Sequence, residues 1–439
     1  MPSVGLYTLG CKVSQYETEA VGEAFEKQGF EILPFEESCD VYFINTCTVT
    51  AESDRKSRQI IRRATSHKNA VVAVAGCYSQ TACGEILKIP GVDIVIGNGE
   101  KLQTVEFAVQ KLAEKQSGTV SAPIVKVGRI EDEPFEKMTV KKAPRTRAYV
   151  KIEDGCECRC TYCEIPNARG LVRSKLPADV IAEVEALHAS GTKEIVLTGI
   201  ETASYGTDFS DGYRLIDLLE ELDRRHSADR IRLGSLTPEL MKPAFVERMK
   251  KLSILVPHFH LSMQSGSDNV LRGMKRRYNR QMALDAMART REAMPDVQFT
   301  TDLMVGFPGE TEENFEETLD FVRRARFLSM HVFAYSRRPG TPAAGYDGQV
   351  AESIKHDRSR RLIAEGEKIR DGILSEIVRE GSLLRVIPET AGEGYYEAHS
   401  DSFVAVRVLT KCDLRGELIY VKPVRAENGI LYAEPVIDN

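Results

Sequence analysis

Short runs of apolar and β-branched residues alternate along most of this chain with longer stretches whose apolar positions recur every three or four residues. The first pattern predicts strands and the second amphipathic helices. Up to residue 120 the strand runs fall at 4–9, 41–46, 71–75 and 93–96, with helical stretches around 15–28, 55–67, 83–88 and 103–115. That order predicts a doubly wound parallel sheet. From Arg147 the alternation resumes, with strands at 148–153, 194–199, 230–236, 258–264, 297–305 and 331–335 and helices around 178–189, 213–225, 239–250, 280–293 and 312–325. Six successive βα units predict a parallel (β/α)6 barrel, open rather than closed at eight. Residues 381–439 read as short strands with turns at 391–394, 413–416 and 427–429, a small all-β module of OB-like form. The expected division is an α/β domain at 1–120, a linker at 121–144, the barrel at 145–375 and the β module at 376–439. The linker stretch is poorly patterned, with Pro123, Pro134 and Pro144, and leads into a basic run of Lys137, Lys141, Lys142, Arg145 and Arg147 that is either solvated or tracks phosphates.

Composition narrows the class. No apolar run reaches the roughly 20 residues that a bilayer span needs, and no basic, apolar leader precedes the first strand, so a cytoplasmic protein without a membrane partner is expected. Ten cysteines in 439 residues are too sparse for a disulfide scaffold and point to metal or redox chemistry in a reducing compartment. A net charge of −6 gives no general attraction for polyanions, so nucleic acid has to be met by local basic patches. Arg55, Lys56, Arg58, Arg62 and Arg63 form one such patch on an early helix, and Lys275, Arg276, Arg277 and Arg280 another. The β module is not basic, with six Lys and Arg against nine Asp and Glu. Its Tyr395, Tyr396, Phe403 and Tyr432 either stack on bases or belong to its core.

The densest chemical signal is Gly155-Cys156-Glu157-Cys158-Arg159-Cys160-Thr161-Tyr162-Cys163. Cys156, Cys160 and Cys163 have a C-x3-C-x2-C spacing, which lets one loop hold an iron–sulfur cubane by three corners and leaves one iron open to a small molecule. The competing reading is a structural zinc loop with Cys158 as fourth ligand, although thiols at 156, 158 and 160 alternate too tightly for an easy tetrahedron.

Three more cysteines share a topological position. Cys11 follows the first strand, Cys47 ends the second and Cys77 follows the third. The carboxyl ends of an open parallel sheet share one rim, where ligands bind, so these thiols are expected to converge as a second three-ligand site. Taken singly, each would be a buried small hydrophobe. Cys39 and Cys412 read as packing or surface residues, and Cys83 as a helix-start residue.

The barrel's strand ends carry polar groups suited to a bound cofactor: Thr198, Gly199 and Glu201 after the second strand, Ser262 and Gln264 on the fourth, Asp302 and Gly306 on the fifth, Tyr335 on the sixth, with Tyr162 in the cysteine loop. Glu201 is the expected acceptor for an ammonium, and Arg337 or Arg338 the expected bidentate donor to a carboxylate or phosphate. Arg55, Arg58, Arg62, Arg173, Arg337 and Arg338 are the candidate substrate contacts.

Several motifs together make the chain similar to a known family. They are residues 9–19, beginning Leu9-Gly10-Cys11-Lys12, then Ile44-Asn45-Thr46-Cys47-Thr48-Val49-Thr50, Gly76-Cys77-Tyr78, the triple-cysteine loop with Ile165-Pro166-Asn167-Ala168-Arg169-Gly170, and Gln264-Ser265-Gly266-Ser267. Over nearly its whole length the chain resembles the tRNA methylthiotransferases of the radical S-adenosylmethionine superfamily. The first motif and residues 332–341 are most similar to the branch acting on N6-threonylcarbamoyladenosine beside the anticodon. The resemblance implies an N-terminal methylthiotransferase domain, a central radical domain and a C-terminal TRAM domain. It implies S-adenosylmethionine and two 4Fe–4S clusters, on Cys156, Cys160 and Cys163 and on Cys11, Cys47 and Cys77, the first generating a radical and the second carrying the added sulfur. A tRNA anticodon stem-loop, an electron donor and a sulfur source are the implied partners. Isopentenyladenosine in tRNA or a ribosomal-protein aspartate are alternative acceptors, and an iron–sulfur electron carrier or a zinc-dependent RNA-binding protein are the readings from other classes. Two departures stand out: Thr198-Gly199-Ile200-Glu201 replaces the common Gly-Gly-Glu element, and Cys158 is an extra thiol in the loop.

Overall fold

In the computed structural model, which describes residues 1–119, 121–142 and 146–436, the N-terminal sheet has six parallel strands. Their spatial order is Glu31–Leu33, Ser3–Thr8, Val41–Thr46, Val71–Gly76, Ile94–Ile96 and Ile124–Lys126. The two central strands, Val41–Thr46 and Val71–Gly76, are buried at every position, because helices cover both faces, as parallel sheets require. All four expected strands are present. The two edge strands, Glu31–Leu33 and Ile124–Lys126, have three residues each and expose part of their length, so they leave no alternation to read. The second of them lies in the stretch expected as a linker, which also buries Ile130, Met138 and Val140. Pro144 of the linker stretch and Arg145 of the basic run lie outside the described residues.

One helix differs from expectation. It begins at Cys77, directly after its strand, and runs to Ile86 with a break at Ala82. Cys83 therefore lies just beyond that break, inside the helix, and not at a helix start.

The second unit is the open parallel barrel. Its strands follow chain order: Arg147–Lys151, Glu194–Thr198, Arg230–Leu233 continued by Ser235–Leu236, His258–Gln264, Gln298–Val305 and Ser329–Ala334. Ala148, Val150, Ile195, Leu197, Ile231, Leu233, Phe259, Leu261, Phe299 and Leu303 pack outward in the main core. Strand side chains alternate between faces, so Arg147, Lys151, Glu194, Arg230, Arg232, His258, His260, Thr300 and Asp302 turn inward. The barrel interior is polar. A helix of 29 residues, Glu352–Glu380, then packs along the last strand and leads into the β module. Its apolar positions, chiefly Leu362, Ile373 and Leu374, are too sparse among charges to have shown a stripe, and it runs past the boundary expected at 375.

The C-terminal module is a closed barrel of five strands, Leu384–Ala391, Tyr395–Ser400, Ala405–Leu409, Ile419–Glu427 and Ile430–Pro435. It seals the amino end of the larger barrel. Phe403 stacks on His258 at 4.5 Å and on His399 at 4.9 Å. Tyr396 is buried, and Tyr395 and Tyr432 flank the Arg407 guanidinium. Buried Glu194 accepts from Arg232 at 3.1 and 2.9 Å and from Arg230, while Arg232 reaches the Asp401 carbonyl at 3.0 Å. Burial alone would raise the Glu194 carboxyl, yet Arg232, Arg230 and Arg147 hold it well below the usual range.

Removing Glu194 would leave buried guanidinium charge without its counter-ion. Glu194→Ala is expected to cost about 3–5 kcal/mol and to lower the thermal midpoint, with Glu194→Gln falling between it and the parent in a calorimetric scan.

Candidate functional site

The triple-cysteine loop leaves the first barrel strand through Gly155, at φ +88°, where a Cβ would lie 1.9 Å from the Leu171 carbonyl oxygen. Only glycine fits there. The Cys156 amide donates to the Gly170 carbonyl at 3.0 Å, and the Thr161 hydroxyl to the Gly273 carbonyl at 2.9 Å, so both flanks of the loop are pinned. Cys160 is buried and accepts from Arg276 Nη1 at 3.2 Å. Burial pushes the Cys163 thiol up to about 12. Cys158 is drawn down to about 6 by a hydrogen bond with Cys156, against burial and helped by Arg276 and Arg277. Among the described residues no group of three His, Cys, Asp or Glu side chains could hold a single metal ion. Ligands of one ion crowd within about 2.3 Å of it, whereas a cubane spreads its thiolates over separate irons.

Beside this loop stand groups with unmet hydrogen-bonding capacity. Glu201 Oε1, Gln264 Oε1 and the Tyr335 hydroxyl are buried without a partner among the described residues. Burial, with Cys158 next, raises the Glu201 carboxyl to about 8. Gln264 sits at φ +68° beside a register shift in its strand, a strained backbone of the kind retained at functional sites. Ser262 offers its carbonyl to Arg276 and to Tyr278, both at 2.9 Å. Tyr162 packs on an apolar cluster that includes Met304, Phe307 and Tyr335. At Gly306, φ +74°, a Cβ would meet the Lys355 side chain at 2.3 Å. Buried polar atoms normally have partners, so these three orphaned atoms are open to a polar ligand. The expected residues Tyr162, Glu201, Ser262, Gln264, Gly306 and Tyr335 are on these elements.

The second set of thiols converges through sheet register. Thr8 pairs with Asn45 and Thr46 with Gly76, which places Cys11, Cys47 and Cys77 just past three adjacent strand ends. A Cβ on Gly10 would sit 3.5 Å from Cys47 Sγ. Burial pushes Cys47 up to about 11, with the Cys77 and Cys11 thiols adding to the rise.

A short helix, Ile165–Arg169, follows Cys163 and carries the first loop to the second set. Arg169, fully buried, donates from Nε to Cys77 Sγ at 3.3 Å, from Nη1 and Nη2 to Glu17 at 2.7 and 3.1 Å, and from Nη1 to Asp154 at 3.1 Å. Asn98 Nδ2 donates to Cys77 Sγ at 3.4 Å and to the Ala168 carbonyl at 2.7 Å. Lys101 and Lys151 also reach Glu17, at 3.3 and 3.0 Å. Burial alone would raise Glu17, but Arg169, Lys101 and Lys151 hold it well below the usual carboxylate range.

Between the sheet rim and the barrel interior lies a chamber of about 700 Å³. Cys11, Lys12, Thr198, Gly199, His260, Thr301, Asp302, His331 and Phe403 are on its wall. Asp302, expected beside the cofactor, and Thr198 and Gly199 thus face the chamber that Cys11 faces. Lys12, an exposed side chain by surface area, opens into the chamber.

The candidate substrate arginines divide. Arg55 pairs with Glu52 on the surface, Arg58 donates to the Tyr78 hydroxyl at 2.8 Å, and Arg62 is exposed. Arg337 donates to the Ala344 carbonyl and remains exposed. Arg173 spends its guanidinium on the Glu133, Pro134 and Arg169 carbonyls. Arg338 is buried against Asp54 and Thr48, at 2.6 and 2.7 Å, where it ties the barrel to the N-terminal sheet. Sequence reasoning missed Arg169, Glu17, Asn98 and the chamber histidines, and read Arg276 as part of a phosphate-binding patch.

Comparisons with known proteins agree with this arrangement. Residues 150–322 match the family described as the Radical SAM superfamily, and residues 3–97 the one described as Uncharacterized protein family UPF0004. The threonylcarbamoyladenosine tRNA methylthiotransferase MtaB of Bacillus subtilis is 41% identical over 97% of this chain and 94% of its own length. The protein of that name from Thermotoga maritima is 39% identical over 82% of this chain and 80% of its own. A tRNA-2-methylthio-N(6)-dimethylallyladenosine synthase of Clostridium botulinum is 31% identical over 98% of this chain and 96% of its own. Among solved structures, the radical S-adenosylmethionine methyltransferase TsrM of Kitasatospora setae shares the fold, with a TM-score of 0.57 and 17% identity over 90% of this chain and 79% of its own. Two sets of strand-end thiols, an open barrel and full-length relatives at this identity lead to one conclusion: the chain belongs to the radical S-adenosylmethionine tRNA methylthiotransferase family.

Proposed function

We propose that this enzyme methylthiolates C2 of N6-threonylcarbamoyladenosine next to the anticodon of tRNA, using S-adenosylmethionine and two 4Fe–4S clusters. The observation that carries the reading is Arg169, which ties the loop of Cys156, Cys160 and Cys163 to Cys77. The relatives' names support the substrate. Cys156, Cys160 and Cys163 would hold one cluster, and Cys11, Cys47 and Cys77 the other. Bound to the first set with S-adenosylmethionine, a cluster supplies the one-electron chemistry that activates an inert C–H bond.

The chain's own side chains do the positioning. Glu201 accepts the cofactor's ammonium, Gln264 a polar group, and Tyr162 with Phe307 and Tyr335 covers its adenine. Arg276 fixes Cys160, and Arg169 with Asn98 fixes Cys77, each by N–H donation to sulfur. The base leaves the anticodon stack for the chamber, while Arg55, Arg58 and Arg62, on the helix after Cys47, offer charge to backbone phosphates. An electron donor and a sulfur source complete the partners. No helix among the described residues is long and apolar enough to cross a membrane, and a cytoplasmic site of action accords with a tRNA substrate. The proposed domains are residues 1–120, 145–375 and 376–439, with 121–144 between the first two and lending the N-terminal sheet its edge strand Ile124–Lys126.

Without cofactor, Glu201 stays neutral up to about 8, whereas in the unfolded chain it ionises near 4.3. Stability therefore falls as pH rises between those values and levels off above the higher one. Glu201→Gln removes the penalty. The apo variant is expected to melt with the parent at pH 4.5 and several degrees above it at pH 8, and to bind S-adenosylmethionine roughly 10–100-fold more weakly.

Anaerobically reconstituted protein given S-adenosylmethionine, dithionite and bulk tRNA should yield methylthio mass on threonylcarbamoyladenosine. Cys156→Ala should abolish 5′-deoxyadenosine formation, whereas Cys47→Ala should retain it and lose the methylthio product. Methylthio mass on isopentenyladenosine alone would replace the proposed substrate.

A further inference from the structure

Most polar groups on the chamber wall are paired with one another. Asp302 lies between His260 and His331, each at 3.2 Å. Thr300 Oγ1 meets His258 Nε2 at 3.0 Å and His260 Nδ1 at 2.9 Å. Beneath the floor, Arg147 and Arg232 are taken up by Glu389, Glu194 and the Asp401 carbonyl. Lys12 differs. It makes neither an ion pair nor a side-chain hydrogen bond among the described residues, and it opens on the chamber immediately beside Cys11. An ammonium with no counter-ion of its own on the chamber wall, with His258, His260 and His331 on the same wall, is free to pair with an anion that enters, and an apolar appendage would offer it none.

We infer that Lys12 receives the carboxylate of an amino-acid appendage on the target base, and so selects an acidic N6 substituent over an apolar one. The inference rests on the substrate reading above and adds the residue that enforces it. Elementary adenine chemistry agrees with the position. N6 and C2 flank N1 on the same edge of the ring, so an anchor beside Cys11 that holds the N6 appendage also turns C2 toward that thiol. A carboxylate and a nucleotide phosphate present the same anionic chemistry to an ammonium, and the test separates them.

Anticodon stem-loops carrying threonylcarbamoyladenosine, its neutral methyl ester or plain adenosine are titrated into reconstituted holoenzyme and followed by fluorescence anisotropy. In the parent protein the acid should bind about 10–100-fold more tightly than the ester. Lys12→Gln should bind acid and ester alike, at the parent's ester affinity, and Lys12→Arg should restore discrimination, which a misfolded variant cannot do. Equal parent affinities for acid and ester, or full discrimination in Lys12→Gln, would overturn the inference. So would a Lys12→Gln loss common to all three RNAs, which would assign Lys12 to a backbone phosphate. Failure of the parent to convert the threonylcarbamoyl strand in the mass assay would remove the substrate reading itself; conversion with equal affinities removes the Lys12 assignment alone.

Discussion

A guanidinium with no access to water holds this molecule together. Arg169 belongs to the barrel, Glu17 to the N-terminal sheet's first helix and Asp154 to the strand end before the cysteine loop; Lys101 shares Glu17, and Lys151 shares both carboxylates. Each buried ion would cost several kcal/mol alone. Because the partners come from both units, sliding one unit over the other would strip charges of their counter-ions. The cluster therefore fixes one docking register more than it adds net stability. That register brings Cys77 to Arg169 and Cys11 to the mouth of the barrel.

The same logic governs the opposite end. A parallel barrel usually fills its interior with branched apolar side chains, but here the inward positions are Arg, Glu, His, Thr and Asp. They are satisfied by one another and by the C-terminal module, whose Phe403 ring and Ser400 and Asp401 carbonyls close the floor. The small β barrel acts as a plug as well as a surface. Closing the floor leaves a chamber with polar walls, open toward the rim where Cys11, Cys47 and Cys77 gather.

Much of this was legible in the chain. Buried parallel strands are near-continuous apolar runs, so 41–46 and 71–75 announced themselves, and cysteines at successive strand ends have to share a rim. Edge strands of three residues and a highly charged helix at Glu352–Glu380 carry no such period. Polar partnerships were also invisible. Arg276 sits in a basic run yet spends its charge on Cys160 and the Ser262 carbonyl, and Arg338 looks like a phosphate contact yet is buried on Asp54. Whether an arginine meets solvent or a carboxylate depends on which distant segment packs against it, and local sequence does not encode that. Lys12 is the converse case: an ordinary lysine in a cysteine motif gains meaning only from the chamber around it.

The proposed pair of clusters rests on two sets of three thiols held near each other where Arg169, on the helix after Cys163, meets Cys77. Electron paramagnetic resonance of the reconstituted, dithionite-reduced protein tests it most directly. The expected parent spectrum is broadened by magnetic coupling between two reduced clusters and resolves to one unbroadened signal in a variant lacking either set of cysteines. A parent spectrum equal to the simple sum of the two variant spectra, or a single cluster signal unaffected by loss of Cys11, Cys47 and Cys77, would contradict it.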